Sequence, residues 1–430
     1  MVTSPSRGPI DLARALPHEL VAELLALGRA HGADFAEVYG ESTLQTSFVY
    51  EESRLKSSQC SWAQGVGVRA VKGEQTECAY ADGFAPCDLE EAARVAARIA
   101  REGLGHGRPS AFRAVAAAAP FTLRKPLPLA LDEALKIALL ERANDAARGH
   151  DPRVREVTAS LADSAKSFVV ANSDGLWAEE RQFLTRLTLD VLALEGAVRQ
   201  QGFAAGGGSV EADYFERERS PEAIASEAAA SAVTLLRARE PEAGAYPVVV
   251  APGWGGVLVH ECFGHSMEGD TIRKKTSIRA NQKGRLVAAK GVTIVDSGIV
   301  PYSRGSFRVD DEGTPAQRTV LVEDGILVGY LWDALNARLM GERSTGNGRR
   351  GSYRDYPLPR MTNTYIEARP PRPRGPHRLG EARPLLQAAG GRVGESRRRQ
   401  LLLPGDRGLP DRERGAHRPG AQCHAHRERQ

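Results

Sequence analysis

The chain has 430 residues, 41% hydrophobic and 26% charged, the make-up of an ordinary folded protein with room for two or three domains. No run of about 18 apolar residues occurs, which excludes a membrane-spanning helix. The net charge is +4, but residues 369–430 hold 15 Arg against 6 Asp plus Glu; the first 368 residues, with 43 basic and 48 acidic, carry no basic footprint for nucleic acid.

The opening MVTSPSRGPIDLARALPHEL lacks the charged-then-apolar build of a secretory signal. Five scattered cysteines (Cys60, Cys78, Cys87, Cys262 and Cys423) argue against a disulfide framework and for a reducing compartment. A cytoplasmic location is the resulting expectation.

In chain order, the helical pattern of residues 12–33 leads into DFAEVYGE and TSFVYEESRLKSS, which alternate as strands do. GVGVRAVK (65–72) is a further strand, and residues 88–104 form an amphipathic helix with Asp88 as its expected cap. These make an N-terminal α+β region, residues 1–110. Residues 111–130, with three prolines and little periodicity, read as a linker.

A second α+β region, 131–240, begins with the helix LDEALKIALLERANDAARG. Strands follow in VREVTASLAD, SFVVANSDG and LTRLTLDVLALEG. AAGGGS (204–209) reads as a flexible loop. Residues 220–239 read as a helix capped by Ser220, with Pro221 at its first position. A third, β-rich region spans 241–368. It starts with YPVVVAPG and contains the hairpin RTVLVEDGILVGYLWD, turned at Asp324-Gly325. The fold class is therefore α+β: an antiparallel sheet with packed helices, then a β-rich C-terminal domain.

Residues 369–430 differ from everything before them. They contain no aromatic residue and no Ile, Met, Thr or Asn, and show no sustained periodicity. Arg, Pro, Gly and Ala are what a GC-rich gene yields in the wrong frame. Codons can be chosen for this tail so that the neighbouring frame reads with strand-like runs and Asn-Gly turns, including LIENG and LIGNG. The expectation is that the reading frame breaks just after Ala368; the alternative is a genuine disordered basic tail.

Within VLVHECFGHSMEGD, His260 and His265 stand five apart, one more than in the familiar His-Glu-x-x-His pattern. At 100° per residue that spacing turns the two imidazoles about 140° from each other on an ideal helix. They can share a metal only if the helix widens or ends between them, and Gly264 is the residue expected to let the backbone do so. Neutral imidazoles are good zinc ligands, and Glu261 beside the first is placed to take a proton from a water. Spacing alone leaves chance open, because two histidines are one or two ligands short of a site.

LVHECFGHSMEGD, the block from Gly313 to Ala368 and the early GVGVRAVKGEQTECAYADG together resemble the TldD/PmbA family, on its TldD side. The resemblance implies a cytoplasmic zinc metallopeptidase that hydrolyses unfolded peptides by a metal-activated water. It also implies pairing with a PmbA/TldE-like subunit, with His260 and His265 as zinc ligands and Glu261 as general base. The family's third ligand is a cysteine in a Gly-x-Cys-Gly-Lys string near the C-terminus, and no such string exists here. Cys423 lies in the suspect tail and is not promoted to ligand; Cys262 reads as an inert thiol. The alternative is thus a catalytically impaired member that binds peptides or a partner. Neither nucleic acid nor membrane is an expected partner, and no substrate-binding residues can be named.

Glu268 and Asp270 are candidates to orient the free ring nitrogen of His265, with a solvated acidic turn as the alternative. GNGRRGSYR (346–354) lacks the end of a phosphate loop. Arg349, Arg350 and Arg360 are expected in surface ion pairs rather than on peptide carboxylates. His18, His31, His106 and His150 are expected to be structural or exposed.

Overall fold

The computed structural model describes residues 11–100, 109, 111–239, 243–245, 248–250, 252–253, 255–368 and the backbone of 385–386. Residues 369–384 and 387–430, with Cys423, and the residues around His106 lie outside the described residues.

The first region opens with α1 (Leu12–Ala15) and α2 (His18–Gly28), split by Pro17, which supplies extended backbone ahead of α2. Strands β1 (Phe35–Glu51), β2 (Arg54–Lys72) and β3 (Gln75–Asp82) follow, then α3 (Pro86–Ala96). The two short strands expected in residues 34–58 are one long hairpin, reversed at Glu52 and Ser53, both at positive φ. Asp88 is not the cap of α3: Pro86 starts the helix, Ala85 precedes it and Asp88 sits in its first turn.

Next come the two-residue β4 (Arg113–Ala114), α4 (Leu127–Ala130), α5 (Glu133–His150), β5 (Val154–Asn172), β6 (Leu176–Glu195) and β7 (Val198–Gly208). Asp132 caps α5 through the Leu135 amide at 2.9 Å. After α6 (Tyr214–Arg217), α7 (Pro221–Leu235) is capped by the Ser220 hydroxyl, as its sequence predicts. The glycine-rich 204–208 is not a loop but the end of β7, paired to β6. Gly202 in the same strand lies so close to α7 that an added Cβ would fall 2.0 Å from the Ala228 carbonyl.

Among the described residues these strands form one sheet in the order β3-β2-β1-β5-β6-β4, with β7 also on β6. The β1–β5 pairing fuses the two N-terminal regions into one surface. The burial of β5 explains its sequence. VREVTASLAD alternates because α5 and α7 cover only one face there. SFVVAN is buried throughout because both faces are covered. On one side of that half lie α2 and α3, against Val38, Val68 and Val169. On the other, Val309 and Tyr353 of the C-terminal region pack on Tyr39, Phe168 and Val170.

The C-terminal region contains β8 (Val249–Val250), α8 (Gly256–Val259), α9 (Gly269–Arg273), β9 (Ile294–Ser297), β10 (Arg318–Glu323), β11 (Ile326–Leu327), α10 (Ala334–Met340), β12 (Gly348–Arg349), β13 (Leu358–Pro359) and β14 (Thr364–Ile366). Its main sheet runs β11-β10-β9-β14. Asp324 and Gly325 both take positive φ, the turn the hairpin sequence calls for.

A buried ionic seam ties this region to the long sheet. Arg69 reaches Glu312 at 2.8 Å and Glu37 at 3.2 Å, all three almost fully buried. Arg350 also pairs with Glu37 and stacks on Tyr39. Lys166 and the Tyr39 hydroxyl meet Asp311. Asp310 accepts the amides of Glu312, Thr314 and Gly348, yet burial and then the Glu312 charge push its carboxyl well above the usual range. Arg350 is therefore not in a surface ion pair: it is buried, and desolvation pulls its pKa down to about 9.

Candidate metal centre

Residues 256–267 form one winding segment whose pitch changes twice. α8 supplies one α-turn, His260–Gly264 widen into a π-turn, and His265–Met267 tighten into a 3₁₀ turn. The amide of His265 donates to the carbonyl of His260, an i→i+5 bond. One extra residue per turn puts residues five apart on one face. The imidazoles of His260 and His265 consequently meet edge to face, with ring centroids 4.6 Å apart.

Widening a helix frees carbonyls, and serines satisfy them here. The Ser266 hydroxyl donates to the Cys262 carbonyl at 2.9 Å, and the Ser277 hydroxyl donates to the Ser266 carbonyl at 2.6 Å. Val259 and Met267 anchor the segment in a core of Ile294, Leu321, Leu331 and Trp332. Gly264 matters for a different reason from the one its sequence position suggests. Its φ of −62° and ψ of −68° are open to any residue. The close neighbour is Met361, whose sulfur lies 1.8 Å from where a Cβ would stand, so any larger residue requires that flexible thioether to swing aside.

The Glu261 carboxylate completes a cluster. One ligand atom from each of His260, Glu261 and His265 falls within 4.8 Å of the others; Glu261 and His265 are exposed and His260 partly so. Ligand atoms about 2.1 Å from one zinc lie at most about 4 Å apart, so the spread closes with small side-chain rotations. The two imidazoles, open to solvent, fit two positions on a zinc ion in donor chemistry and spacing, and the Glu261 carboxylate stands beside them. Among the described residues no cysteine joins them: Cys262 lies between the histidines in sequence but outside the cluster.

Behind His265 stands Glu268. Its Oε1 is 3.2 Å from His265 Nδ1, and its Oε2 accepts from the Arg360 guanidinium at 2.9 Å. Glu268 is buried, and desolvation raises its carboxyl pKa while Arg360 and His265 pull it back. The contact fixes the ring and directs its other nitrogen, Nε2, outward. Asp270, the other candidate for this role, points elsewhere and faces Lys274 at 4.0 Å.

Arg360 and Met361 are placed by a buried carboxylate that sequence reading passed over. Asp296 on β9 accepts from Thr362 (amide and hydroxyl), from the Thr364 hydroxyl and from the Asn347 amide side chain. The clustering of Asn347, Thr362, Asn363 and Thr364 in GNG and MTNT was the available signal.

Three family models match the chain. Models of PmbA/TldA metallopeptidase domain 1, central domain and C-terminal domain cover residues 36–100, 126–236 and 243–378. A Metalloprotease TldD homolog of Haemophilus influenzae is 40% identical over 340 residues, 78% of this chain and 70% of its own. A Zinc metalloprotease TldD homolog of Saccharolobus solfataricus is 32% identical over 136 residues, 31% of this chain and 30% of its own. The crystal structure of TldE from Thermococcus kodakarensis superposes with a TM-score of 0.68 at 20% identity, over 82% of this chain and 77% of that one, a likeness of fold.

Proposed function

Because the chain belongs to the PmbA/TldD metallopeptidase family, we propose that it is a TldD-type, zinc-dependent peptidase acting on unfolded peptides. The observation that carries this reading is the π-turn, which brings His260 and His265 together beside the exposed Glu261. His260 and His265 would hold the ion. When bound, zinc supplies Lewis-acid chemistry that brings the pKa of a water toward neutrality.

The remaining work falls to this chain's own groups. Glu261 takes the proton from the attacking water and passes it to the departing amine nitrogen of the cleaved peptide. Glu268 keeps the His265 ring in one tautomer and orientation, and Arg360 balances the charge of Glu268. The exposure of Glu261 and His265 suits an extended, unfolded substrate rather than a small enclosed ligand. A PmbA/TldE-like subunit is the proposed partner, on the strength of the shared fold, and the cytoplasm the proposed location.

A second reading is favoured by one observation, that among the described residues no cysteine joins the cluster. A chain with two imidazoles alone would be an impaired subunit that binds peptides or its partner. The reading frame after Ala368 bears on this choice. Resequencing across that codon would reveal an added or lost base if the tail is out of frame. An unchanged sequence would favour the impaired subunit.

The test of the enzymatic reading is Glu261→Gln, in a chain carrying the complete C-terminal ligand. Metal content should stay near that of the parent while hydrolysis of unfolded peptides falls by about 10²–10⁴-fold, the worth of a positioned base. Unchanged hydrolysis would remove Glu261 from the mechanism.

A further inference from the structure

One face of the long sheet is only half covered. Along β6, Leu187, Leu189 and Val191 turn to α5 and α7, so Leu184 and Arg186 turn the other way. On that side Val309 and Tyr353 of the C-terminal region cover Tyr39, Phe168 and Val170. Beyond them a trough of about 420 Å³ crosses β2, β1, β5 and β6.

The floor of the trough is polar and uncharged. Gln45 faces Ser61 and Ser164, and Ser47 faces Gln59, in neighbouring cross-strand rows. Arg186 ends one row, opposite Ala162. Arg304 closes the trough from the loop that follows β9. That loop is clamped on both sides. The Ser209 amide donates to the Tyr302 carbonyl at 3.1 Å. The Asn363 side chain accepts from the Gly305 amide at 3.1 Å and donates to the Ser306 hydroxyl at 2.9 Å. Asn363 follows Met361 and Thr362, so the Arg304 loop and the metal turn are held by one segment.

Arg186 and Arg304 are both exposed, yet neither has a hydrogen bond or ion pair among the described residues. The carboxylate in the lining, Asp163, is buried toward α5 and spent on Lys136 at 2.7 Å and on the Thr46 and Thr185 hydroxyls. Two guanidiniums without a counter-charge give the trough a positive potential, and their forks match carboxylates. The amides and hydroxyls of the floor both donate and accept. A peptide backbone requires both, whereas a phosphodiester only accepts. Four strands about 4.8 Å apart make a floor about 14 Å across, the length of about four extended residues.

We propose that this trough binds an extended peptide segment carrying acidic side chains, with Arg186 and Arg304 pairing to its carboxylates. It thereby selects acidic stretches of unfolded substrate. That such a segment belongs to the chain being cleaved rests on the peptidase reading; its binding here does not.

Fluorescence anisotropy of the full chain tests this, with a chelator present so that metal and cleavage play no part. The probes are labelled unfolded peptides that differ only in carrying paired Glu, Gln or Lys residues. The Glu peptide should bind about tenfold more tightly than the Gln peptide, and the Lys peptide least. Arg186→Ala and Arg304→Ala should each weaken the Glu peptide about threefold or more. Arg186→Glu combined with Arg304→Glu should reverse the order, so that the Lys peptide binds best, a result that a misfolded chain cannot give.

Equal binding of the three peptides would overturn the proposal. So would a Glu preference untouched by the substitutions, as capture by the arginine-rich residues 369–430 would give, or an oligothymidylate held as tightly as the Glu peptide. A Glu preference that depends on both arginines, in a chain that cleaves nothing, would support the trough and count against the peptidase reading alone.

Discussion

A Cβ on Gly264 would stand 1.8 Å from the sulfur of Met361. The contact joins the π-turn to the loop after β13, so a side chain at residue 264 requires either the Met361 thioether to swing aside or the backbone carrying His265 to shift. Gly264→Ala should push the turn off Met361 and separate the imidazoles. Zinc affinity, measured by competition with a chromophoric chelator, should fall at least about tenfold. Adding Met361→Ala should restore much of it; if it does not, the contact is not what places His265.

Glu268 makes a second prediction. Glu268→Gln keeps the shape but loses the charge that balances Arg360 and holds His265 Nδ1. Metal affinity should drop roughly 10–100-fold, as for other residues that orient a ligand from behind. Asp270→Asn, whose side chain faces Lys274, should leave it nearly unchanged.

The ionic seam predicts a stability effect far from the metal. Arg69 is almost fully buried between Glu37 and Glu312. Arg69→Met strands the Glu312 carboxylate, leaves Glu37 with Arg350 as its cation, and should cost about 3–5 kcal/mol, read as a lower guanidinium midpoint. A loss below about 1 kcal/mol would mean the seam is solvated in the working protein.

Asp333 predicts a pH dependence. It caps α10 through the Asn336 amide, but burial, then the Glu312 charge, raises its pKa from 3.8 to about 7. The folded chain therefore holds a proton that the unfolded chain has already released in this window. Its contribution to stability is full below about pH 4 and is lost as pH rises through about 7. Asp333→Asn should flatten the stability profile across that window while keeping the cap. Asp310, shifted the same way, leaves a residual slope.

Much of this was legible in the sequence. The alternation of VREVTASLAD and the continuous run of SFVVAN state how many faces of β5 are covered, and Asp324-Gly325 states its own turn. The five-residue spacing of the histidines called for a helix that either widens or ends if the two share a metal, and in this chain it widens. The reason for Gly264 was not legible, because Met361 is 97 residues away and meets it only through the Asp296 network. The acidic run Asp310–Glu312 looks like a solvated turn in sequence; its arginine partners lie up to 243 residues away, on strands that only the fold brings under it. The glycines at the end of β7 were misread for a similar reason: Gly206 is pressed by Ile224 of α7, which follows later in the chain, and Gly208 by the carbonyl of Tyr302, 94 residues on.

The most direct measurement is zinc content after equilibration and desalting, for the parent chain and for His260→Ala and His265→Ala. The account predicts a specific, saturable site of about one zinc per chain, lost or much weakened in both variants. Zinc bound equally well by all three, with circular dichroism showing them equally folded, would contradict it. The HECFGH turn would then be a structural feature, and the peptidase reading would fall with it.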